Sequence, residues 1–339
     1  MRSERRAMSG RSASTRRAGN PGEPALFRMA AYAMATRFEV VLWGADEPRL
    51  RAAAEEALAE VAAMESRLSR FRGESDIHAL NLHAAREPVR VDPRTFALLQ
   101  RAAALSEETQ GAFDVTVAPL LRAWGFLGGT GSMAREEDAA AARQVTGMAL
   151  VELDPDEFTV RFLRPGVEMD LGAIGKGAAV EEAAGLLRDC GVAGALIHGG
   201  TSTVQALGRQ PGGEPWQVAV RHPQNEDSVL AVAALADCAL SVSAIHGKSF
   251  AEGGMELGHV LDPSTGRPVQ GAVLAAVVCT SATDADALST AVLARGVPLL
   301  ERLRAARPDL SGLVAVRDGS GGVLVEVRGP ALRSAGPGG

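Results

Sequence analysis

Between residues 194 and 279 the sequence consists of short apolar runs separated by turn residues, without the periodicity of a helix. These runs predict seven strands: Gly194–Ile197, Ser202–Leu207, Trp216–Val220, Val229–Leu235, Ala239–Val242, Gly258–Leu261 and Ala272–Cys279. A doubly wound parallel sheet needs strands and helices that alternate along the chain, and this region has no such alternation. The pattern therefore predicts an α+β fold.

Helices are predicted on both sides of this strand-rich region, where apolar residues recur at the spacing of one helical face. They begin at Pro48 and Asp92, and two more cover Lys176–Cys190 and Thr283–Ala294. Proline is favoured in the first turn of a helix, which is where Pro48 and Pro93 stand. A strand at Arg37–Trp43 is predicted ahead of the first helix, because its apolar residues alternate.

The composition is that of a soluble globular protein, with 46% hydrophobic and 22% charged residues. A net charge of −6 argues against nucleic acid as the main partner, because phosphate backbones are bound by basic surfaces. No apolar run approaches the roughly 20 residues of a membrane-spanning helix. We therefore expect neither nucleic acid nor a membrane as a partner.

The two ends of the chain set the expected domain boundaries. Residues 1–24 are rich in Arg, Ser, Gly and Pro and lack the apolar segment of a secretory signal, so we expect a disordered basic tail on a cytoplasmic protein. Residues 329–339 are expected to form a flexible C-terminal tail. The 339 residues exceed the usual size of one compact core, which leaves one large two-lobed domain or two small domains open.

The segment "MDLGAIGKG" (Met169–Gly177) is predicted to end a strand, cross a glycine loop and enter a helix. Backbone amides in such a loop and at a helix N-terminus can bind a pyrophosphate, and Lys176 would add a positive charge. Asp170 would accept hydrogen bonds from a ligand or orient the loop. The glycine spacing fits neither a P-loop nor a dinucleotide-binding fingerprint, so an ordinary strand-to-helix turn is an equally good interpretation.

Asp286 and Thr290 lie four residues apart on the last long predicted helix and therefore share one face. A carboxylate and a hydroxyl on one face can supply two oxygens to Mg²⁺, which prefers hard ligands. The more common alternative is that the aspartate favours the helix N-terminus while Thr290 packs against its neighbours.

Several other residues have both a functional and a structural interpretation. His259 stands before the turn "DPSTG", and His198 precedes a double glycine; either can act as a general base, although a single histidine is more often structural. In that turn, Asp262 is expected to accept a hydrogen bond from its own backbone. Phe113 and Met34 can contact an aromatic ring system, but core packing is the default for both.

Taken together, the sequences of these segments and their order along the chain point to a family more strongly than any single segment does. From about residue 30 to 325 the chain resembles the FAD:protein FMN transferases, the ApbE family. The matching segments are "MATRFEV", "SRFRGESDIHALN", "GAFDVTVAPLLRAWGF", "MDLGAIGKGAAVEEA", "GVAGALIHGG", "GHVLDPSTGRP" and "ADALSTAVLARG". Members of that family transfer FMN from FAD to a Thr or Ser hydroxyl of a target flavoprotein, which forms a phosphoester and releases AMP.

The resemblance implies a fold and a set of site residues. The fold is a single two-lobed α+β domain over residues 25–328, with FAD in the cleft between the lobes. Asp286 and Thr290 would bind Mg²⁺ together with the backbone carbonyl of Ala173, and the catalytic residues would be Asp286 and His259, the latter as base for the acceptor hydroxyl. FAD would be held by Met34, Ala112, Phe113, Asp114, Asp170, Lys176 and Leu261.

Two segments depart from the family pattern. His198 and Thr201 stand where the family usually has Asn before the double glycine and Asp after it, and the common turn of the family appears here as "SVSAIHGKSF", ending at Phe250. These departures keep two alternatives open: an FAD pyrophosphatase that yields FMN and AMP, and a non-catalytic FAD-binding protein. Asp286, Thr290 and His259 favour an enzyme, because storage of a cofactor needs no base.

Overall fold

The computed structural model describes residues 12–14, 25–223, 225–245, 247–253, 255–318 and 322–335. The helices are α1 (Glu47–Leu68), α2 (Asp76–His83), α3 (Pro93–Glu108), α4 (Ala118–Ala123), α5 (Glu136–Arg143), α6 (Gly175–Asp189), α7 (Ala282–Arg295) and α8 (Val297–Ala306). Pro48 and Pro93 stand in the first turns of α1 and α3, as predicted. Asp46 caps the N-terminus of α1, and Asp92 caps that of α3.

The strands belong to one large sheet and four small ones. They are β1 (Ser12–Ser14), β2 (Ala25–Ala33), β3 (Thr36–Gly44), β4 (Val89–Arg90), β5 (Val151–Asp154), β6 (Thr159–Phe162), β7 (Gly194–Gly199), β8 (Thr203–Leu207), β9 (Trp216–His222), β10 (Asn225–Leu235), β11 (Ala239–Ala244), β12 (Ser249–Glu252), β13 (Met255–Gly258), β14 (Leu261–Asp262), β15 (Arg267–Pro268), β16 (Ala272–Cys279), β17 (Ser311–Arg317), β18 (Val323–Arg328) and β19 (Leu332–Ser334).

The large sheet has the order β1-β2-β3-β7-β8-β11-β16-β17-β18, and each neighbouring pair is antiparallel. Helices α6 and α7 pack on one face of it and against each other. The combination of helices with an antiparallel sheet confirms the predicted α+β class.

Two apolar clusters of unequal size hold the described residues together. The main cluster joins the large sheet with α1, α3, α6, α7 and α8. The small cluster lies under α4, α5 and the β12–β13 hairpin and consists of Leu120, Trp124, Phe126, Ala142, Leu257 and Leu261. No helix within the described ranges combines the length and the apolar character needed to cross a bilayer.

The structure corrects the predicted strand Gly258–Leu261. Strand β13 ends at Gly258, and β14 begins at Leu261, so His259 lies between two short strands. A Cβ at Gly258 would lie 2.4 Å from the carbonyl oxygen of Ile245, and the His259 amide donates to the carbonyl of Lys248 at 3.0 Å. The chain bends at the histidine.

Both predicted tails contain a short strand. Ser12–Ser14 pairs with β2, while most of residues 1–24 lies outside the described residues. At the C-terminal end, β19 pairs with β10, and Leu332 is buried. Residues 332–334 thus pack against the β9–β10 sheet, and flexibility of the C-terminal tail stays a prediction. Residues 336–339 lie outside the described part of the chain.

Candidate active site

The N-terminus of α6 packs directly against α7, which brings the glycine loop to the acidic helix. The amide of Gly177 donates to Asp286 Oδ2 at 2.9 Å, and Lys176 Nζ lies 4.0 Å from the same oxygen. A Cβ at Gly177 would lie 2.3 Å from the carbonyl oxygen of Ala282, so the helices can approach this closely because the residue is glycine. The sequence-predicted convergence of Lys176 and Asp286 is present.

The contact between Gly177 and Asp286 also changes the hydrogen bonding of Ala173. In a regular helix the Gly177 amide would donate to the carbonyl four residues earlier, which is that of Ala173. Here it donates to Asp286, and within the described ranges no hydrogen bond reaches the Ala173 carbonyl. Next to it, Lys176 Nζ donates to the carbonyl of Gly172 at 3.0 Å. The loop thus has a backbone oxygen left for a ligand.

Hydroxyl groups surround the Asp286 carboxylate on the side of the large sheet. Oδ1 accepts hydrogen bonds from Ser241 at 3.2 Å and Thr203 at 3.4 Å, both on neighbouring strands. Thr290, one turn along α7, donates to the Asp286 carbonyl at 3.3 Å and lies 3.1 Å from the hydroxyl of Ser243. Sequence reasoning found Asp286 and Thr290 but missed the three hydroxyls from β8 and β11.

The donor set suits a hard cation. Within the described ranges no group of three or more His, Cys, Asp or Glu side chains is arranged to hold a metal ion. A cation at this position would therefore be bound by one carboxylate, that of Asp286, with hydroxyl and carbonyl oxygens, and Mg²⁺ completes such partial sets with water and phosphate oxygens. The orphaned carbonyl of Ala173 and the hydroxyl of Thr290 fit this chemistry.

Asp170 is held by the glycine loop and by an arginine that sequence reasoning did not single out. Its Oδ1 accepts the Gly172 amide at 2.8 Å, and its Oδ2 accepts from Arg70 Nη1 at 3.3 Å. Arg70 also donates to Glu168 at 3.1 Å, and only 11% of its side chain is exposed. Arg70 is thus enclosed between two carboxylates and fixes the direction of Asp170.

Two further residues of the segment "SRFRGESDIHALN" belong to the surroundings of the site. The side-chain amide of Asn81 accepts from the Met169 amide at 2.7 Å and donates to the Met169 carbonyl at 3.0 Å. It thus takes the place of a neighbouring strand. Phe71 follows Arg70, and its ring is 77% exposed. A large exposed aromatic ring beside a polar site is a common feature of ligand-binding surfaces.

His259 lies half-buried near the charged groups of the loop. Its Nδ1 is 3.2 Å from the carbonyl of Lys248, and its ring meets Phe126 edge to face. Burial lowers the pKa of His259, and the hydrogen bond to the Lys248 carbonyl opposes that effect. The positive charges of Lys248 and Lys176 lower the pKa further, and the negative charge of Asp170 opposes them. The charges of Lys176 and Asp170 act on the pKa of His259, so the histidine lies within electrostatic reach of the glycine loop.

His198 does not belong to this group. It pairs with Glu39 across β3 and β7, and the charges that act on it are those of Glu39, Arg28 and Arg37. Burial lowers the pKa of His198, with Glu39 opposing. Its neighbour Gly199 faces Val180 of α6, so the alternation of a strand turns His198 to the other face of the sheet.

The remaining sequence-predicted FAD residues lie mostly in the core. Ala112 and Phe113 are buried, at 2% and 1% exposure, and their contact with FAD stays a prediction. The Asp114 carboxylate is buried too and accepts from Thr116 and from the Met148 amide, which holds a turn together.

Met34 and Leu261 differ from those three in position. Met34 stands in the turn between β2 and β3 with a positive φ of 50°. Thr36, at the end of this turn, packs against Gly200: a Cβ at Gly200 would lie 2.6 Å from the Thr36 hydroxyl. Leu261 is buried in the small cluster, two residues after His259. Contact of either side chain with FAD stays a prediction.

Comparison with known proteins connects this geometry to a family. The sequence model of the ApbE family matches residues 34–313. This chain belongs to the ApbE family. A FAD:protein FMN transferase of Rhodobacter capsulatus is 36% identical over 214 residues, which are 63% of this chain but only 40% of that protein. A FAD:protein FMN transferase of Vibrio cholerae serotype O1 is 30% identical over 261 residues, 74% of this chain and 75% of that protein.

Solved structures of ApbE proteins have the same fold. The ApbE protein of Thermotoga maritima superposes with a TM-score of 0.80 at 28% identity, over 88% of this chain and 96% of that one. The flavinyl transferase ApbE of Pseudomonas stutzeri in its apo form gives a TM-score of 0.79 at 27% identity, over 90% and 95% of the two chains.

The segment "SVSAIHGKSF" touches the site at three points, of which the first is the hydrogen bond from Ser241 to Asp286. Ser243 bonds Thr290, and the carbonyl of Lys248 accepts from the amide of His259. Position 246 of the same segment lies outside the described residues. This segment therefore supplies polar contacts to both sequence-predicted metal ligands, Asp286 and Thr290, and to the sequence-predicted base.

Proposed function

We propose that this protein transfers FMN from FAD to a Thr or Ser hydroxyl of an acceptor flavoprotein and releases AMP, in a reaction that depends on Mg²⁺. The observation that carries the proposal is the junction of α6 and α7, where Gly177 and Lys176 approach the Asp286 carboxylate and the Ala173 carbonyl of the adjoining loop accepts no hydrogen bond within the described ranges. The names of the relatives in Rhodobacter capsulatus and Vibrio cholerae support the transfer of FMN from FAD to a protein.

The glycine loop and the start of α6 would bind the diphosphate of FAD. Amides at a helix N-terminus and the positive end of the helix dipole favour a phosphate group. Lys176 adds an ammonium group whose side chain is 26% exposed, so it can reach a ligand oxygen. Asp170, oriented by Arg70, would accept hydrogen bonds from the ligand, and the exposed ring of Phe71 would offer a surface for an aromatic ring.

Asp286, Thr290 and the Ala173 carbonyl would hold Mg²⁺. When bound, the ion would stabilise the negative charge that develops on phosphoryl oxygens during transfer. Ser241 and Thr203 donate to Asp286 Oδ1, which leaves Oδ2 turned towards Lys176 and the loop.

His259 would act as the base. A carbonyl oxygen only accepts, so the contact with Lys248 assigns the ring proton to Nδ1 and leaves Nε2 to accept another. The acceptor hydroxyl loses its proton to Nε2 as its oxygen forms a bond to the FMN phosphorus. The bond between that phosphorus and the AMP oxygen breaks, and AMP leaves with the electron pair.

The test is an assay with the purified protein, FAD, Mg²⁺ and a peptide that contains one Thr. We expect flavin fluorescence to become attached to the peptide with an equal amount of AMP, and no attachment to a matched peptide with Ala in place of that Thr. Free FMN and AMP in the presence of either peptide would indicate a pyrophosphatase. Bound but unchanged FAD would indicate a binding protein. Either result would contradict the proposal.

A further inference from the structure

The loop that carries His259 is joined to α7, the helix of Asp286, by an arginine. Arg295 lies in the last turn of α7, and its Nη2 donates to Asp262 Oδ1 at 3.1 Å and to Ser264 Oγ at 2.8 Å. Asp262 follows His259 by three residues. The side chain of Arg295 on α7 therefore reaches the turn that ends the loop carrying His259, which we call the base loop.

Asp262 organises that turn and needs a positive partner. Its Oδ1 also accepts from the amide and the hydroxyl of Ser264, at 2.9 and 2.8 Å. Only 11% of the Asp262 side chain is exposed, and an enclosed carboxylate is stable only with hydrogen bonds and a cation. Arg295 supplies the cation, and its own side chain is 37% exposed.

Apolar packing alone does not fix this loop against α7. Val260 and Val269 pack on the main cluster, whereas Leu257 and Leu261 belong to the small cluster. The loop thus runs along the boundary of two cores. Apolar contact is not directional, so a small shift along that boundary costs little unless a directional contact opposes it.

We propose that Arg295 is a positioning residue for the transfer reaction. Through Asp262 and Ser264 it sets the base loop against α7, so that His259 keeps its place relative to the group bound at Asp286. Arg295 touches no reacting atom. The inference rests on the proposed function, because the role of His259 as base is part of that function.

Arg295→Ala is expected to lower the kcat of FMN transfer about 10- to 100-fold, because a displacement near 1 Å of a reacting group costs a rate factor of that order. The affinity for FAD, measured by quenching of flavin fluorescence, should stay within about twofold, since the diphosphate loop is untouched. Arg295→Lys should keep most of the rate, because both hydrogen bonds come from a single nitrogen that an ammonium group can replace.

Arg143 offers a matched control. From α5 it donates to the carbonyl of Ser264 at 3.3 Å, so it holds the same turn from the side of the small cluster. It has no part in the link to α7. Arg143→Ala should transfer FMN at the wild-type rate. Equal losses in the Arg143 and Arg295 variants would overturn the proposal, because any contact with the turn would then have the same effect.

A double-mutant cycle separates positioning from general damage to the fold. In a His259→Ala background, Arg295→Ala should cause no further loss of rate, because the residue that it positions is gone. A loss as large as that in the wild-type background would mean that Arg295 acts elsewhere, and it would overturn the inference.

Hydrogen exchange tests the same link without catalysis. Amides of residues 257–266 should exchange faster in Arg295→Ala than in the wild type or in Arg143→Ala, while those of α7 stay unchanged. If the wild type transfers no FMN, the proposed function fails, and this measurement still decides whether Arg295 holds the loop. Unchanged exchange would overturn the inference by itself.

Discussion

The two sides of the candidate site are built differently. At the junction of α6 and α7, Asp286 is 3% exposed and its carboxylate bonds the backbone of Gly177, in the middle of the main cluster. On the other side, His259 is half-buried in a loop between two short strands, at the boundary of the main and small clusters. One side is fixed by close helix packing, and the other by a few polar contacts.

This difference suggests a division of tasks. A diphosphate and a cation need fixed oxygens and amides, which a packed helix junction provides without further adjustment. An acceptor protein has to bring a hydroxyl group to the base and leave again, which a loop permits more easily than a core. We therefore expect substitutions at the junction to affect ligand binding and stability, and turnover through the lost metal, whereas substitutions in the loop affect the rate without affecting binding.

The largest effect is expected at the junction, for Asp286→Ala. Loss of the carboxylate should lower turnover at least about 1000-fold, because a bound metal contributes several kcal/mol of charge stabilisation. Calorimetric titration with Mg²⁺ in the presence of FAD should show no binding. Asp284→Asn is the control on the same helix, since Asp284 pairs with Arg101 and Arg307 instead. Wild-type rates for Asp286→Ala at limiting Mg²⁺ would contradict the metal assignment.

The loop side is tested by His259→Ala. Loss of a general base should lower the kcat of transfer about 100-fold or more, while the affinity for FAD and for Mg²⁺ stays close to that of the wild type. Stopped-flow measurement of flavin attachment to the peptide gives the rate. A large loss of FAD affinity in this variant would mean that the two sides do not divide binding and chemistry as proposed.

The tight packing of the junction can be tested by adding a methyl group. Gly177→Ala should destabilise the protein by about 1–3 kcal/mol, because its Cβ would meet the Ala282 carbonyl at 2.3 Å and the Asp286 Cβ at 2.7 Å. Gly185→Ala on the same helix has no atom within 4 Å of the new Cβ and should be neutral or stabilising by up to about 1 kcal/mol. Urea unfolding of both variants measures the difference between their free energies of unfolding. Equal stabilities of the two variants would contradict the tight packing at Gly177.

The smallest effect concerns the pH dependence of the loop side. A base must be neutral, and burial with the charges of Lys248 and Lys176 lowers the pKa of His259. The transfer rate should therefore stay constant as pH falls past the usual histidine value of about 6.5 and decline only through the lowered pKa. Lys248→Ala removes a positive charge and should move that midpoint to higher pH. A shift in the opposite direction would contradict the assignment.

Asp284 belongs to a network that secures the start of α7 behind the site. Burial alone would raise the pKa of Asp284, but hydrogen bonds and charges from Arg101 and Arg307 hold it below its usual value. Because the folded pKa is lowered, the stabilisation is present above the unfolded pKa and is lost as pH falls through the folded one. Sequence reasoning gave Asp284 no partner, since Arg101 is 183 residues away.

The sequence by itself determined the local elements and the local pairs. Helical periodicity placed α6 and α7 within a residue or two of their observed bounds, and the spacing of four put Asp286 and Thr290 on one face. Strand β16 has the predicted bounds, because a continuous apolar run is typical of a strand buried on both faces. These features depend on neighbours in the chain.

Only the tertiary structure decided which distant groups meet. The amide of Gly177 donates to Asp286 from 109 residues away, and Ser241 and Thr203 reach the same carboxylate from two strands. Local patterns carry no information on such contacts, because they follow from how whole elements fill space and satisfy each other's polar groups.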